Sequence, residues 1–262
     1  MENVPSQEAL QGNLWRYKLI AALAFTPIML PIIVLFWQEC GLDMFEVFLL
    51  QALFAGAVVV LEVPTGMVAD RMGKRTSLII ALVIVFLGCV GYAMSRTFWS
   101  FLFVEILLAF GAAFFSGADT ALLYDTLKAL KREGEFKRLE GEANAIRLIS
   151  FAVCNLLGGF IGDWSLVAAM WATAVGPFLS LFVVVGFVEV NQRDKGASFR
   201  DSLDGYRRLI LSALKFVRRH EYVRWQIMFF SVLMGSGTWL LWLYQPYMSF
   251  SGLDVWAFGA AF

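Results

Sequence analysis

Two predominantly apolar runs, each of about twenty residues, flank the short charged link Gly66-Met67-Val68-Ala69-Asp70-Arg71-Met72-Gly73-Lys74-Arg75. A run of that length, wound as a helix at about 1.5 Å per residue, crosses the roughly 30 Å of a bilayer's hydrocarbon core. Few other folds can use it, because backbone groups in lipid must find partners inside their own segment. The same alternation continues along most of the 262 residues. Hydrophobic residues make up 60% of the chain and charged ones only 16%, far from a soluble domain's usual balance. The reading is an all-α integral membrane protein. The formal net charge of zero gives no argument for nucleic acid. Cys40, Cys89 and Cys154 lack metal-ligand or paired spacing. The first dozen residues carry no basic stretch before the first apolar run, which reads as a retained span and not a cleaved leader.

The pattern predicts spans over 17–38, 46–69, 76–95, 98–127, 143–162 and 165–188, then a polar connector over 189–223, and a seventh span over 224–247. An eighth apolar segment begins at Val255, and the sequence stops inside it. The domain reading is therefore a six-helix bundle over 1–188, the connector, and a truncated second bundle from 224. All basic residues except Arg96 fall on one side of this topology. Positive charge is retained in the cytoplasm, so the amino terminus is expected there, in a cell (plasma or inner) membrane. Within the connector, Leu203, Tyr206, Ile210, Ala213 and Val217 recur at helical spacing beside Arg207, Arg208, Lys215 and Arg218. That predicts a basic amphipathic helix, either on the inner membrane surface or as a solvated linker. Gly41-Leu42-Asp43 after the first span is repeated as Gly252-Leu253-Asp254 after the seventh, a sign of two related halves.

Gly66 and Gly73 are expected to allow a sharp reversal of the chain, since glycine has no Cβ. The stretch resembles the loop between helices 2 and 3 of the major facilitator superfamily, Gly-x-x-x-Asp-Arg-x-Gly-Arg/Lys-Arg/Lys. It matches at Gly66, Asp70, Arg71, Gly73, Lys74 and Arg75. The resemblance implies an MFS-type helical bundle of about twelve spans in a full protein, one six-helix half plus part of the second being present here. It also implies a charge cluster of Asp70, Lys74 and Asp125 that helps set the balance between inward and outward states. The alternative for the loop is simple topological anchoring.

Ionisable side chains near mid-bilayer cost about 2.5–3.5 kcal/mol to insert, so they face a cavity or a partner. Glu105 lies among Phe103-Val104 and Ile106-Leu107-Leu108. On one continuous helix it would share a face with Ala109, Ala112, Ser116 and Asp119. That stripe is expected to be either a cavity wall, with Glu105 or Asp119 binding a proton or cationic group, or a helix–helix contact. Glu62 precedes Pro64 in Leu61-Glu62-Val63-Pro64-Thr65-Gly66, which resembles an extended form of the loop motif in drug-efflux-like members. Glu62 would titrate in transport or pair with a nearby cation. Arg147 is expected to snorkel to the interface, or else to pair with Glu62 or Asp125. Pro27 and Pro31 are expected to bend the first span. The tryptophans near span ends read as interfacial anchors, and His220 as solvated.

Two positions depart from the proton-coupled drug carriers of the family. Leu107 stands where many carry an arginine four residues before a glycine, here Gly111, and Leu156-Leu157-Gly158-Gly159 lacks the proline of the antiporter element. The expected function is secondary active transport of a small molecule by alternating access, with proton-coupled efflux of an amphipathic or cationic compound preferred. Uptake of a sugar or metabolite is the alternative within the class; a non-transporting sensor or assembly protein is the alternative outside it. The expected partners are a small-molecule substrate, protons and the lipid bilayer, with no nucleic acid. No catalytic residue, metal site or cofactor is expected, and no nucleotide-binding glycine-rich loop is present.

Overall fold

The computed structural model describes residues 6–190 and 199–261. The side chain of Asp70 lies outside the described residues, as do those of Leu203, Tyr206, Arg207 and Ile210 in the connector. Among the described residues the secondary structure is entirely helical, and six helical stretches are long and apolar enough to cross a membrane.

The first span is interrupted, which is more than the bend expected from its prolines. Helix α1 (Gln7–Leu23) starts at the N-cap Ser6. A non-helical stretch and a 3-10 turn over Leu30–Ile32 follow, and only then α2 (Ile33–Glu39). Neither Pro27 nor Pro31 has an N–H to continue the ladder, and each ring crowds the preceding turn. Helix α3 (Met44–Met72) begins with a reciprocal cap: the Glu46 N–H donates to Asp43 at 2.8 Å and the Asp43 N–H to Glu46 at 3.1 Å. It runs through Pro64 and Gly66 without breaking. The expected two-glycine turn therefore reduces to one residue. Gly66 is helical, and Gly73 alone makes the reversal at φ +94°, a region that L side chains rarely adopt.

Helix α4 (Lys74–Met94) packs along α5 (Phe98–Phe115). The fourth span then breaks at Ser116–Gly117, where Gly117 is left-handed at φ +76°, before resuming as α6 (Ala118–Ala129). Helix α7 (Phe136–Trp164) returns across the membrane, and α8 (Leu166–Thr173) and α9 (Val175–Val185) together make the sixth crossing. The connector contains α10 (Phe199–Arg219), followed by the long α11 (Glu221–Phe250) and the short α12 (Val255–Ala261).

Two large apolar cores hold this bundle, beside a small cluster of Val85, Cys89 and Ala174. One lies towards the end carrying Lys74 and Arg75, hereafter the basic end, and includes Tyr17, Ile20, Leu82, Leu122, Leu127 and Leu139. The other lies towards the opposite end and includes Ile32, Trp37, Val47, Tyr92, Phe101 and Trp242. Between them the helices leave a cavity.

Candidate functional site

The cavity has a volume of about 320 Å³ and is bounded by the interrupted first span together with α3, α4, α5, α8, α9 and α11. Phe25, Phe54, Tyr92 and Trp242 give it aromatic walls, and Glu105 contributes a carboxylate. Glu105 is only 4% exposed. Its Oε1 accepts hydrogen bonds from the Tyr92 hydroxyl and from Gln51 Nε2, the latter at 2.9 Å. Oε2 has no hydrogen-bond partner among the described residues, yet it is not sealed from the cavity. Two donors thus fix the side chain through one oxygen and leave the other for a ligand. An acid so oriented in an apolar chamber can take a proton or the N–H of a cationic guest, and the rings can face the same charge.

Asp119 does not share this cavity. The break at Ser116–Gly117 ends the register that would have carried one stripe from Glu105 to Asp119, and Ser116 is exposed. Ala109 and Ala112 still lie on the Glu105 helix, Ala109 fully buried and Ala112 on the cavity wall. Asp119 instead sits in the first turn of α6, where it meets Arg147 Nη2 of α7 at 2.9 Å. Arg147 also donates to Glu140 at 3.0 Å through Nη1 and to the Tyr17 hydroxyl at 3.0 Å, while Tyr17 donates to Glu140. The expected snorkelling of Arg147 is thus replaced by an ion-pair network across α1, α6 and α7, and neither Glu62 nor Asp125 is its partner. The reason is the length of α7: it begins at Phe136, so Arg147 lies three turns inside the helix and not at its mouth. With both acids ionised the network carries one excess negative charge.

At the basic end, Lys74 Nζ pairs with Asp125 Oδ2. The Lys74 N–H, at the start of α4, donates to Glu189 Oε1 at 2.6 Å, so a carboxylate meets the positive end of a helix. That carboxylate lies where a Cβ on Gly73 would be, which adds a steric demand for glycine to the conformational one. Arg75 donates to the Val185 carbonyl at 2.6 Å, and Arg71 is also engaged. Asn13 Nδ2 bonds the Val188 carbonyl at 2.8 Å and Thr126 at 3.1 Å, and its Oδ1 accepts from the Val188 N–H at 3.0 Å. The loop is therefore tied to the end of the sixth span. Glu62 is exposed on α3 and makes no ion pair among the described residues.

Sequence reasoning missed Gln51, Tyr92, Tyr17, Glu140 and Glu189. Tyr17 and Asn13 are four residues apart on one helix, and Glu140 and Arg147 seven apart, spacings that place each pair on one face. Those were the available signals; their partners lie on other helices.

The family model described as Major Facilitator Superfamily matches residues 18–262. The chain belongs to the Major Facilitator Superfamily. Its all-helical membrane bundle is therefore the superfamily's, and the chain is an integral membrane protein of a transporter family. A lysophospholipid transporter, LplT of Photorhabdus laumondii, is 26% identical over 203 residues, covering 74% of this chain and 47% of that protein. An uncharacterized transporter of Buchnera aphidicola is 24% identical over 157 residues, covering 59% of this chain and 38% of that protein. The chain thus spans less than half the length of these two relatives.

Proposed function

We propose that the protein is a secondary transporter that carries an amphipathic, cationic small molecule through the Glu105 cavity by alternating access, with the basic end in the cytoplasm. The observation that carries this reading is the divided hydrogen bonding of Glu105. One carboxylate oxygen is held by Tyr92 and Gln51, the other accepts no hydrogen bond among the described residues, and Glu105 lines an aromatic chamber. A sugar would need several polar contacts to replace its hydration, whereas this chamber offers few polar side chains beside Glu105, Gln51, Thr26 and Thr173. An amphipathic guest suits it, and the relative named for lysophospholipid transport supports that class of substrate.

Proton coupling is the favoured energy source. Glu105 can exchange a proton for the guest, and the Asp119–Arg147–Glu140 network can hold a second through its excess charge. The loop contacts of Lys74, Asp125 and Glu189 would bias which end is closed. Export follows if the proton gradient drives uptake of protons from outside.

Proteoliposome flux of a lipophilic monovalent cation tests the reading. Glu105→Gln keeps the shape and removes the charge; flux is expected to fall by about tenfold or more, and a pH gradient to accelerate the parent protein only. Equal flux in Glu105→Gln would remove Glu105 from the mechanism. Flux indifferent to the gradient would remove the proton.

A further inference from the structure

The interruption of the first span leaves backbone groups without helical partners inside the membrane, where each must be satisfied by protein. Side chains from distant helices supply them. The Met29 N–H donates to Thr173 Oγ1 at 2.9 Å, from α8. The remaining contacts come from α11, beyond the connector. Gln245 accepts from the Val34 N–H at 2.8 Å through Oε1 and donates to the Leu30 carbonyl at 2.9 Å through Nε2. The Tyr244 hydroxyl donates to the Pro31 carbonyl at 2.9 Å. Gln245 is fully buried.

A single amide thus bridges the gap in the first span from the other side of the connector. Trp242, about one turn earlier on α11, packs against Trp37 with ring centres 5.7 Å apart and planes tilted by 37°. Both elements are weakened at this level, α11 by Pro246 and the first span by Pro31. Next to it, Gly259 of α12 sits against Gly159 of α7 so closely that a Cβ on either would strike backbone. This cluster borders the cavity, which Met29, Leu30, Thr173 and Trp242 also line, on the side away from the basic loops.

We propose that Tyr244 and Gln245 are the latch that holds the extracellular side shut, by completing the broken backbone of the first span, and that outward opening requires these three hydrogen bonds to break. The inference rests on the alternating-access reading above. Its sign follows from solvation. In the closed state, loss of the amide leaves the Leu30 carbonyl and the Val34 N–H buried without partners; in the open state water reaches both. Removing Gln245 therefore penalises only the closed state and moves the equilibrium outward.

Cys89 lines the cavity and reports its exposure. In the full protein carrying Cys40→Ser, Cys154→Ala and replacements of any cysteine outside residues 1–262, Cys89 is labelled with a membrane-impermeant maleimide from each side of oriented vesicles. Gln245→Leu is expected to raise the rate from the extracellular side about tenfold and to lower it from the cytoplasmic side. Tyr244→Phe, which removes the hydroxyl and keeps the ring, is expected to shift both rates the same way by a smaller factor, and it stands as the test if Gln245→Leu does not fold. Rates within twofold of the parent, in a parent whose Cys89 reacts from both sides, would overturn the latch and leave alternating access intact. A rise from both sides would mean general loosening and would also overturn it. A parent whose Cys89 reacts from one side only, whatever the gradient, would remove alternating access and the latch together.

Discussion

Replacing Arg147 with methionine keeps the apolar stem of the side chain and removes a guanidinium that two carboxylates and a hydroxyl use. Arg147 is bonded to Asp119 at 2.9 Å, to Glu140 at 3.0 Å and to Tyr17 at 3.0 Å. Breaking a fully buried ion pair on one side costs about 3–5 kcal/mol, while an exposed pair is worth about 0–1 kcal/mol. The Asp119 side chain is only 10% exposed and that of Arg147 is 31% exposed, so the site falls between these limits. The expected loss is about 2–3 kcal/mol, most of it from stranding Asp119. Equilibrium unfolding in mixed detergent micelles measures it, and a double-mutant cycle with Asp119→Asn isolates the pair. The double variant is expected to be more stable than the sum of the singles predicts, by about 1–2 kcal/mol. A snorkelling arginine would instead give a loss below about 0.5 kcal/mol. That outcome, or strict additivity in the cycle, would refute the network.

Two further substitutions probe the loop at the basic end. Gly73→Ala is expected to cost about 1–3 kcal/mol in unfolding experiments, because φ +94° is strained for alanine and its Cβ meets the Glu189 carboxylate. Adding Glu189→Ala should recover only the steric part, and full recovery would mean that the backbone is not strained. Asp125→Asn is expected to cost about 1–2 kcal/mol and to change the ratio of Cys89 labelling from the two sides, since Lys74 loses its partner. Exchanging the charges, Lys74→Asp with Asp125→Lys, should restore part of both; no restoration would mean that the two side chains act separately.

The loop shows how far a linear pattern carries. Its resemblance to the family loop implied the cluster of Lys74 and Asp125, and the two are paired across 51 positions. The same motif assigned the reversal to two glycines, although Gly66 continues the helix and only Gly73 turns. A motif records which residues are needed and not the dihedral angles each adopts. The fourth span shows the converse failure. Counting offsets from Glu105 assumed one rigid helix, and a single left-handed residue at Gly117 separated the two acids into different sites. Arg147 departs from the expected snorkelling for a related reason: a span beginning at 143 puts it near a helix end, whereas the helix runs from Phe136, held by contacts such as Lys18–Glu142 at 2.6 Å.

What the sequence by itself determined was the order and approximate limits of six apolar segments long enough to cross a membrane, whereas the expected first span is split into shorter helices. That requirement is local, since each segment must be long enough, apolar enough and able to bond its own backbone. The tertiary structure alone decided where the helices could afford to break. An interruption inside a bilayer survives only if other side chains reach its free N–H and C=O groups, and at the first span those come from Thr173 and Gln245, 144 and 211 positions away. No local pattern contains that information, because the partners become neighbours only when the helices pack.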